Sequence, residues 1–263
     1  MSSIRKNPAC ANSDQFKTAR RRLPAAAREQ MIVDGAVKFF SEHGLGGQLR
    51  DLARGLGITH TLLYHYFPTK QALIERVYAD LFEGRWRPEW QLLLDDPKLD
   101  AHTKLTRFYC EYAKVILERD WVRVFVFSGL SDRYITDRYF ALLGEKLFPR
   151  LVRESRRHQG IAIGNEQPSD REMEAIMGLH GSIFYMGVRR WVYGHVKNDP
   201  LMDRTSAIAQ QAFDQEVIAD RVRSYLTSLE PSSPSHVQLT ENHTPLSISA
   251  LPTVKELNSW PFH

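Results

Sequence analysis

Two short helical segments joined by a glycine-containing turn constrain the fold of this chain more than any other feature of its sequence. The first segment runs from Gln48 to Arg54, and Gly55-Leu56-Gly57 supplies a tight turn after it. Thr59 is a favourable N-cap residue for the second segment, which ends at Tyr66 shortly before a proline. A first helix that braces a second across such a turn is a helix-turn-helix, whose second helix fits a DNA major groove about 12 Å wide.

Most of the remaining sequence from residue 25 to residue 229 is helical in pattern as well. Apolar residues between Ala25 and His43 recur with the 3.6-residue period of an amphipathic helix, and Gly44 follows at a C-terminal cap position. Beyond Gly84 we find no alternating run bounded by turn residues, so no strand is predicted. Further helices are predicted after Thr69 and over residues 101–118, 122–130, 136–158, 170–193 and 203–229. The predicted fold class is therefore all-α.

Charge and composition divide the chain into four predicted parts. Seven basic residues against one acid give residues 1–28 a net charge of +6, whereas the whole chain carries +4. Such a basic arm suits a polyanion partner, although a solvated tail with incidental charge would look the same. We predict a flexible basic arm over 1–24, a helix-turn-helix domain over 25–83, a helical body over 84–230 and a disordered tail over the proline- and serine-rich residues 231–263.

The sequence contains no signal for a membrane or for secretion. No apolar stretch approaches the roughly 18 residues that a membrane-spanning helix needs, and the N-terminus lacks an apolar signal region. Two cysteines, Cys10 and Cys110, make neither a disulfide framework nor a metal cluster. We therefore expect a cytoplasmic protein without a metal site.

Several separated blocks of residues, in one order and spacing, resemble the DNA-binding domain of the TetR family of transcriptional regulators. The blocks are residues 32–40 with Gly44, Arg50-Asp51-Leu52-Ala53, Gly57-Ile58-Thr59, Leu63-Tyr64-His65-Tyr66-Phe67 and Lys70-Gln71-Ala72-Leu73. This resemblance implies an N-terminal three-helix helix-turn-helix domain and a larger C-terminal helical domain for ligand binding and dimerisation.

The resemblance also implies a set of DNA-binding residues. His60, Thr61 and His65 match base-reading positions, Tyr64 and Tyr66 match positions beside the sugar-phosphate backbone, and Lys70 matches a lysine that binds a phosphate. Leu62 departs from the family, which often has a hydroxyl residue there, so a phosphate contact is replaced by an apolar contact to a thymine methyl. The full set is Gln48, Thr59, His60, Thr61, Leu62, Tyr64, His65, Tyr66 and Lys70. Two alternatives stay open, namely that the tyrosines only pack on the helix surface and that the histidines are exposed without a partner.

The body is expected to bind a small-molecule effector of amphipathic or aromatic character. Aromatic rings with polar tips can line such a pocket, and Arg123 could pair with an anion. The expected pocket residues are Tyr109, Tyr112, Trp121, Arg123, Phe125 and Phe127. Ordinary core packing is the alternative for each aromatic residue.

The last two predicted helices carry apolar stripes that suit a homodimer. A protein that reads a palindromic operator on double-stranded DNA is itself two-fold, and two helices per subunit can form a four-helix bundle. The expected interface residues are Met173, Ile176, Met177, His180, Ile183, Phe184, Phe213, Val217, Val222 and Tyr225. Gly178 and Gly181 would each cost a helix roughly 1 kcal/mol unless close packing offsets it. An intramolecular core would produce the same stripes.

The sequence thus predicts a dimeric repressor that a small molecule releases from its operator. An activator of the same family and a sequence-indifferent architectural DNA-binding protein are the alternatives. An enzyme is not expected, because the chain has no G-x-S-x-G, phosphate loop, dinucleotide fingerprint or H-E-x-x-H sequence. No catalytic residue and no cofactor are predicted.

Overall fold

A computed structural model describes residues 24–162, 164, 166–194 and 207–230 of the chain. The chain divides into two units, Met1–Leu229 and Glu230–His263, and every helix given below belongs to the first. The predicted tail 231–263, and the predicted basic arm except for its last residue, lie outside the described residues. The predicted boundary between residues 83 and 84 stays a prediction.

The described residues fold into α-helices and one short 3-10 helix, with no strand among them, which confirms the predicted all-α class. In chain order the helices are α1 (Ala25–His43), α2 (Leu49–Gly55), α3 (His60–Tyr66), α4 (Lys70–Leu81), the 3-10 helix η1 (Glu83–Arg85), α5 (Pro88–Asp95), α6 (Ala101–Ile116), α7 (Arg119–Gly129), α8 (Tyr134–Lys146), α9 (Phe148–His158), α10 (Asp170–Trp191) and α11 (Ala207–Leu229). None of the described helices is long and apolar enough to cross a bilayer.

Two parts of the body differ from the predicted helices. The single helix predicted over 136–158 is two helices, α8 and α9, because Pro149 has no N–H to donate and its ring crowds the preceding turn. Helix α5 was not predicted, and it begins with Pro88 at a first-turn position where a missing N–H costs nothing. A proline therefore ends one helix in this chain and starts another.

A continuous core joins the N-terminal helices to the body. Helix α1 packs along α7, and its Ile32 and Phe40 are completely buried. Phe82, which follows α4, is 1% exposed and contacts the ring of Trp121 at a centroid distance of 4.8 Å and that of Tyr139 at 5.7 Å. The end of α4 is thus inserted among the aromatic residues of the body.

Candidate nucleic-acid interface and aromatic interior

Helix α3 is held by its one completely buried side chain, Leu63, which belongs to the core formed with α1 and α2. Thr59 caps the helix, because its side-chain oxygen accepts a hydrogen bond from the N–H of Leu62 at 3.2 Å. Gly57 adopts a φ of +64° in the turn, a backbone conformation that suits glycine. The local sequence therefore both starts α3 and aims its other side chains outward.

The outer side of α3 presents aromatic and hydrogen-bonding groups to solvent. His60, Thr61, Tyr64 and His65 are exposed, and the rings of His60 and Tyr64 meet edge to face at 4.6 Å. This arrangement offers a hydroxyl, imidazole nitrogens and a phenol on one face of a seven-residue helix. Such a face can donate and accept hydrogen bonds at base edges and at phosphates.

The other predicted DNA-binding residues lie around this face. Gln48 and Thr59 are exposed, whereas Leu62 and Tyr66 are half-buried. Tyr66 packs against the core, so the alternative of surface packing applies to it more than to Tyr64. The direct DNA contacts of all nine residues remain predictions.

Lys70 begins α4, where backbone N–H groups point out of the helix. Thr69 caps α4 by accepting a hydrogen bond from the N–H of Ala72 at 3.0 Å. The pKa of Lys70 is lowered, because partial burial disfavours the charged ammonium by more than the nearby carboxylate of Asp132 favours it. The ammonium and the start of the helix together form a positive site that suits a phosphate group.

Four of the six predicted pocket residues form part of a buried aromatic cluster in the body. Tyr109 and Tyr112 are completely buried, Trp121 is 2% exposed and Phe125 is 9% exposed. The rings of Trp121 and Phe125 stack at a centroid distance of 5.0 Å. We call these four residues, together with Phe82, Phe108, Tyr139, Phe148, His180 and Phe184, the aromatic interior.

Polar atoms within the aromatic interior are unequally satisfied. The hydroxyls of Tyr112 and Tyr139 share a hydrogen bond of 2.7 Å. The Tyr109 hydroxyl, Trp121 Nε1 and His180 Nδ1 are buried and meet no hydrogen-bonding atom of the described residues. Burial raises the pKa of Tyr109 and lowers that of His180 to about 4, so both side chains are uncharged at neutral pH.

The other two predicted pocket residues, Arg123 and Phe127, have different partners. Arg123 donates one hydrogen bond to the carbonyl of Ser41 and another, of 2.8 Å, to the carbonyl of Trp191. Phe127 lies against the end of α1, where a Cβ on Gly44 would come within 3.2 Å of its ring. Two of the guanidinium N–H groups of Arg123 are thus committed to backbone carbonyls, and pairing of Arg123 with an anionic effector stays a prediction.

Four of the ten residues predicted for the dimer interface lie in the subunit's own core, and the part of the other six in an interface stays a prediction. Ile176, Ile183 and Val222 are completely buried and His180 is 7% exposed, so these four cannot also contact a second copy. The remaining predicted interface residues are half-buried against the same core: Met173, Met177, Phe184, Phe213, Val217 and Tyr225. A helix stripe packs first on the nearest large apolar surface, which here is intramolecular.

The opposite side of α10 is open. Gly178, Gly181 and Tyr185 are exposed there, and a Cβ added at either glycine would meet nothing within 4 Å. The apolar period does not mark this face, because small residues contribute little to it, but the cost of Gly178 and Gly181 within a helix is a sequence signal for it.

Local sequence patterns do not predict several residues of the aromatic interior. Phe82, Tyr139 and Phe148 lie in three different helical segments, and nothing in their local spacing shows that they meet. The single helix predicted over 136–158 also contained both Tyr139 and Phe148, which the structure places in separate helices. Only contacts between distant segments bring these rings together.

The N-terminal helices match a known family. Residues 32–77 match the family described as "Bacterial regulatory proteins, tetR family". The match contains α2, α3 and the turn between them, so it includes the exposed face described above. It confirms the resemblance drawn from the sequence blocks. No curated protein matches the chain.

Solved structures with a similar fold include bacterial regulators. The ketosteroid transcriptional regulator KstR2 of Mycobacterium tuberculosis is 18% identical with a TM-score of 0.50, covering 75% of this chain and 94% of that one. A TetR-like transcriptional regulator from Rhodococcus sp. RHA1 is 18% identical with a TM-score of 0.47, covering 79% and 96%. GusR of Salmonella enterica is 14% identical with a TM-score of 0.47, covering 79% and 97%. At these identities the likeness to KstR2 supports the fold alone.

Proposed function

We propose that this chain, whose residues 32–77 match the tetR family of bacterial regulatory proteins, is a DNA-binding dimeric repressor of transcription that a small-molecule effector releases from a palindromic operator. The observation that carries the proposal is the exposed face of α3. Its four outward side chains are held by one buried leucine and are flanked by Lys70.

In this proposal α3 enters the major groove. His60, Thr61 and His65 hydrogen-bond to base edges, which supplies the choice of sequence. Tyr64 contacts the sugar-phosphate backbone and Lys70 neutralises a phosphate, which supplies affinity and sets the register of the helix.

Selection from random DNA, followed by gel-shift titration of the selected palindrome, tests this assignment. Wild-type protein is expected to bind the palindrome at least about 10³-fold more tightly than random DNA. The double variant Tyr64→Ala with Lys70→Ala is expected to lose that binding, whereas Lys98→Ala, at an exposed lysine of the body, keeps it. Undiminished binding by the double variant would contradict the proposed contacts.

The aromatic interior is the proposed effector site. Its buried and unpartnered polar atoms suit a mostly apolar, uncharged ligand that carries a hydrogen-bonding group. Phe82 links this site to α4, so a ligand that separates the rings also moves a helix of the DNA-binding unit. Release of DNA then follows from a higher affinity of the ligand for the moved state.

Thermal-shift screening of uncharged aromatic and alicyclic compounds, followed by gel-shift release of the operator, tests this site. A true effector is expected to raise the Tm of wild type and to free the DNA. Tyr109→Phe is expected to weaken its binding without altering operator affinity. An effector that binds Tyr109→Phe and wild type equally would place the site elsewhere.

The proposed dimer uses the open face of α10. Two glycines on an exposed helix face cost roughly 1 kcal/mol each in the isolated subunit, and close approach of a second helix would offset that cost. Gly181→Arg is expected to turn a dimer into a monomer in analytical ultracentrifugation. Gly144→Arg is the matched control, since Gly144 is also exposed in a helix with open space around it. A dimeric Gly181→Arg protein would contradict this face.

The selected palindrome also distinguishes the repressor from two alternatives, an activator and an architectural DNA-binding protein. An activator of the same family would bind the selected palindrome and raise transcription in a reporter assay rather than lower it. An architectural protein would bind random DNA as tightly as the palindrome. The proposed function also places the protein in the cytoplasm, where the DNA is.

A further inference from the structure

Helix α7 packs against two helices with different proposed tasks. One is α1, which belongs to the DNA-binding unit, and the other is α10, which carries the proposed dimer face. Helix α10 and the end of α1 both pack closely against side chains of α7. A Cβ on Gly187 of α10 would come within 2.7 Å of the Val122 side chain, and one on Gly44 would come within 3.2 Å of the Phe127 ring.

Arg123 lies on α7 and bonds to the C-terminal ends of both α1 and α10. Its Nε donates to the carbonyl of Ser41 in the last turn of α1, and its Nη1 donates to the carbonyl of Trp191, the last residue of α10, at 2.8 Å. The last four carbonyls of a helix have no partner within that helix, so these two need a donor from elsewhere. The guanidinium of Arg123 supplies a donor to each of these two carbonyls.

Electrostatics and packing reinforce this position. The C-terminal end of a helix carries a partial negative charge, and Arg123 places its positive charge at two such ends. The guanidinium also lies over the ring of Phe127, 5.4 Å from its centroid. A planar fork with several donors can serve two carbonyls at once, whereas the single ammonium of lysine is a compact point charge.

Two further hydrogen bonds tie the same helix ends to the neighbouring body. The Ser41 hydroxyl donates to Asp120 of α7 at 2.8 Å, and the indole N–H of Trp191 donates to the carbonyl of Leu117 at 2.7 Å. These bonds each fix one helix end. Among the described contacts at this joint, Arg123 is the side chain that bonds to both ends.

We propose that Arg123 is a positioning residue that sets the placement of α1, and with it the DNA-reading helix, relative to α10. In a dimer built on α10 this placement determines the separation of the two recognition helices. That second consequence rests on the proposed function, whereas the first concerns a single chain.

Spin-label distance measurements within one chain test the first consequence without DNA and without a dimer. Glu75 on α4 and Glu174 on α10 are exposed and can be replaced by labelled cysteine after Cys10→Ser and Cys110→Ala. Dilution with excess unlabelled protein restricts the signal to one chain. We expect Arg123→Gln to widen the distance distribution relative to wild type, and Arg107→Gln, at an exposed arginine of α6, to leave it unchanged.

Arg123→Lys keeps the test decisive if Arg123→Gln does not fold. Lysine keeps the charge but cannot hold both carbonyls in the same geometry, so a width between those of wild type and Arg123→Gln is expected. If the variants fold and their distance distributions are as narrow as that of wild type, the proposal is overturned. A lower melting temperature alone would mean that Arg123 only stabilises the fold.

Operator spacing tests the second consequence. Wild type is expected to bind the selected palindrome more tightly than one lengthened by one base pair. In Arg123→Gln the ratio of these two affinities is expected to be roughly tenfold smaller. Its binding to an isolated half-site is expected to match wild type. An unchanged preference overturns this consequence. Absence of sequence-specific binding by wild type contradicts the proposed function instead, and the distance measurement still decides the role of Arg123.

Discussion

Tyr109 and Tyr112 lie one turn apart on α6, and both are completely buried, yet their hydroxyl groups have opposite environments. The Tyr112 hydroxyl bonds to that of Tyr139 at 2.7 Å. The Tyr109 hydroxyl meets no hydrogen-bonding atom in the part of the chain that the structure describes. Replacing each tyrosine by phenylalanine therefore removes the same atom with opposite consequences for stability.

The expected magnitudes follow from the cost of unsatisfied buried polar groups. An unpartnered buried hydroxyl costs about 1–3 kcal/mol, so Tyr109→Phe is expected to raise the free energy of unfolding by about 1 kcal/mol. Tyr112→Phe removes one hydrogen bond and leaves the Tyr139 hydroxyl unpaired, so a loss of about 1–2 kcal/mol is expected. For a protein of this size, 1 kcal/mol corresponds to roughly 2–4 °C in Tm.

Urea unfolding followed by circular dichroism, with thermal melts as a second measurement, compares the two variants with wild type. The sign of the difference is the informative quantity, because the two substitutions share residue type, helix and burial. The double variant Tyr112→Phe with Tyr139→Phe serves as a control, since removal of both partners is expected to restore part of the lost stability.

A loss of stability in Tyr109→Phe as large as that in Tyr112→Phe would refute the reasoning. It would mean that the Tyr109 hydroxyl is satisfied in solution, and the argument for an effector group at that atom would lose its support. A gain in stability combined with a loss of effector binding would instead show that this hydroxyl is kept for function.

Three further predictions concern pH, backbone geometry and salt. Because burial lowers the pKa of His180 from its usual 6.5 to about 4, the unfolded chain takes up the proton first, and the free energy of unfolding should fall by up to about 3 kcal/mol as the pH drops through that interval. Urea titrations at pH 7, 5.5 and 4.5 measure this fall, and His180→Leu should make it shallower; an equal slope in both proteins would contradict the assignment. Gly44→Ala should destabilise the protein by roughly 1–2 kcal/mol, because Gly44 has a φ of +74° at the end of α1; an unchanged Tm would argue against that cost. Lys70→Ala should reduce the slope of log affinity against log salt by about 1 in operator titrations, and an unaltered slope would exclude a phosphate contact.

The helix-turn-helix could be predicted because its determinants are close in sequence. The caps Thr59 and Thr69 each bond to an N–H three residues on, and Gly44 adopts the positive φ expected after α1. Leu63 is buried as its place in the resemblance requires. Caps, turns and helical period act over one or two turns of chain, so they can be read directly from the residues.

The body was harder to predict because helical period does not identify a partner. The break before α9 and the separate helix α5 depended on how prolines at 88 and 149 fit their surroundings. The stripe containing Ile176 and Ile183 was correctly apolar, but these two residues pack in the subunit's own core rather than against a second copy.

The amino-acid order alone determined that the described part of this chain is helical, that α3 is a short exposed helix after a tight turn, and which family the N-terminal helices match. The tertiary structure alone decided what Arg123, Tyr109 and Phe82 contact. Arg123 bonds to carbonyls 82 and 68 residues away along the chain, and Phe82 reaches rings of α7 and α8. Contacts at such separations arise from the packing of whole helices, and no local spacing records them.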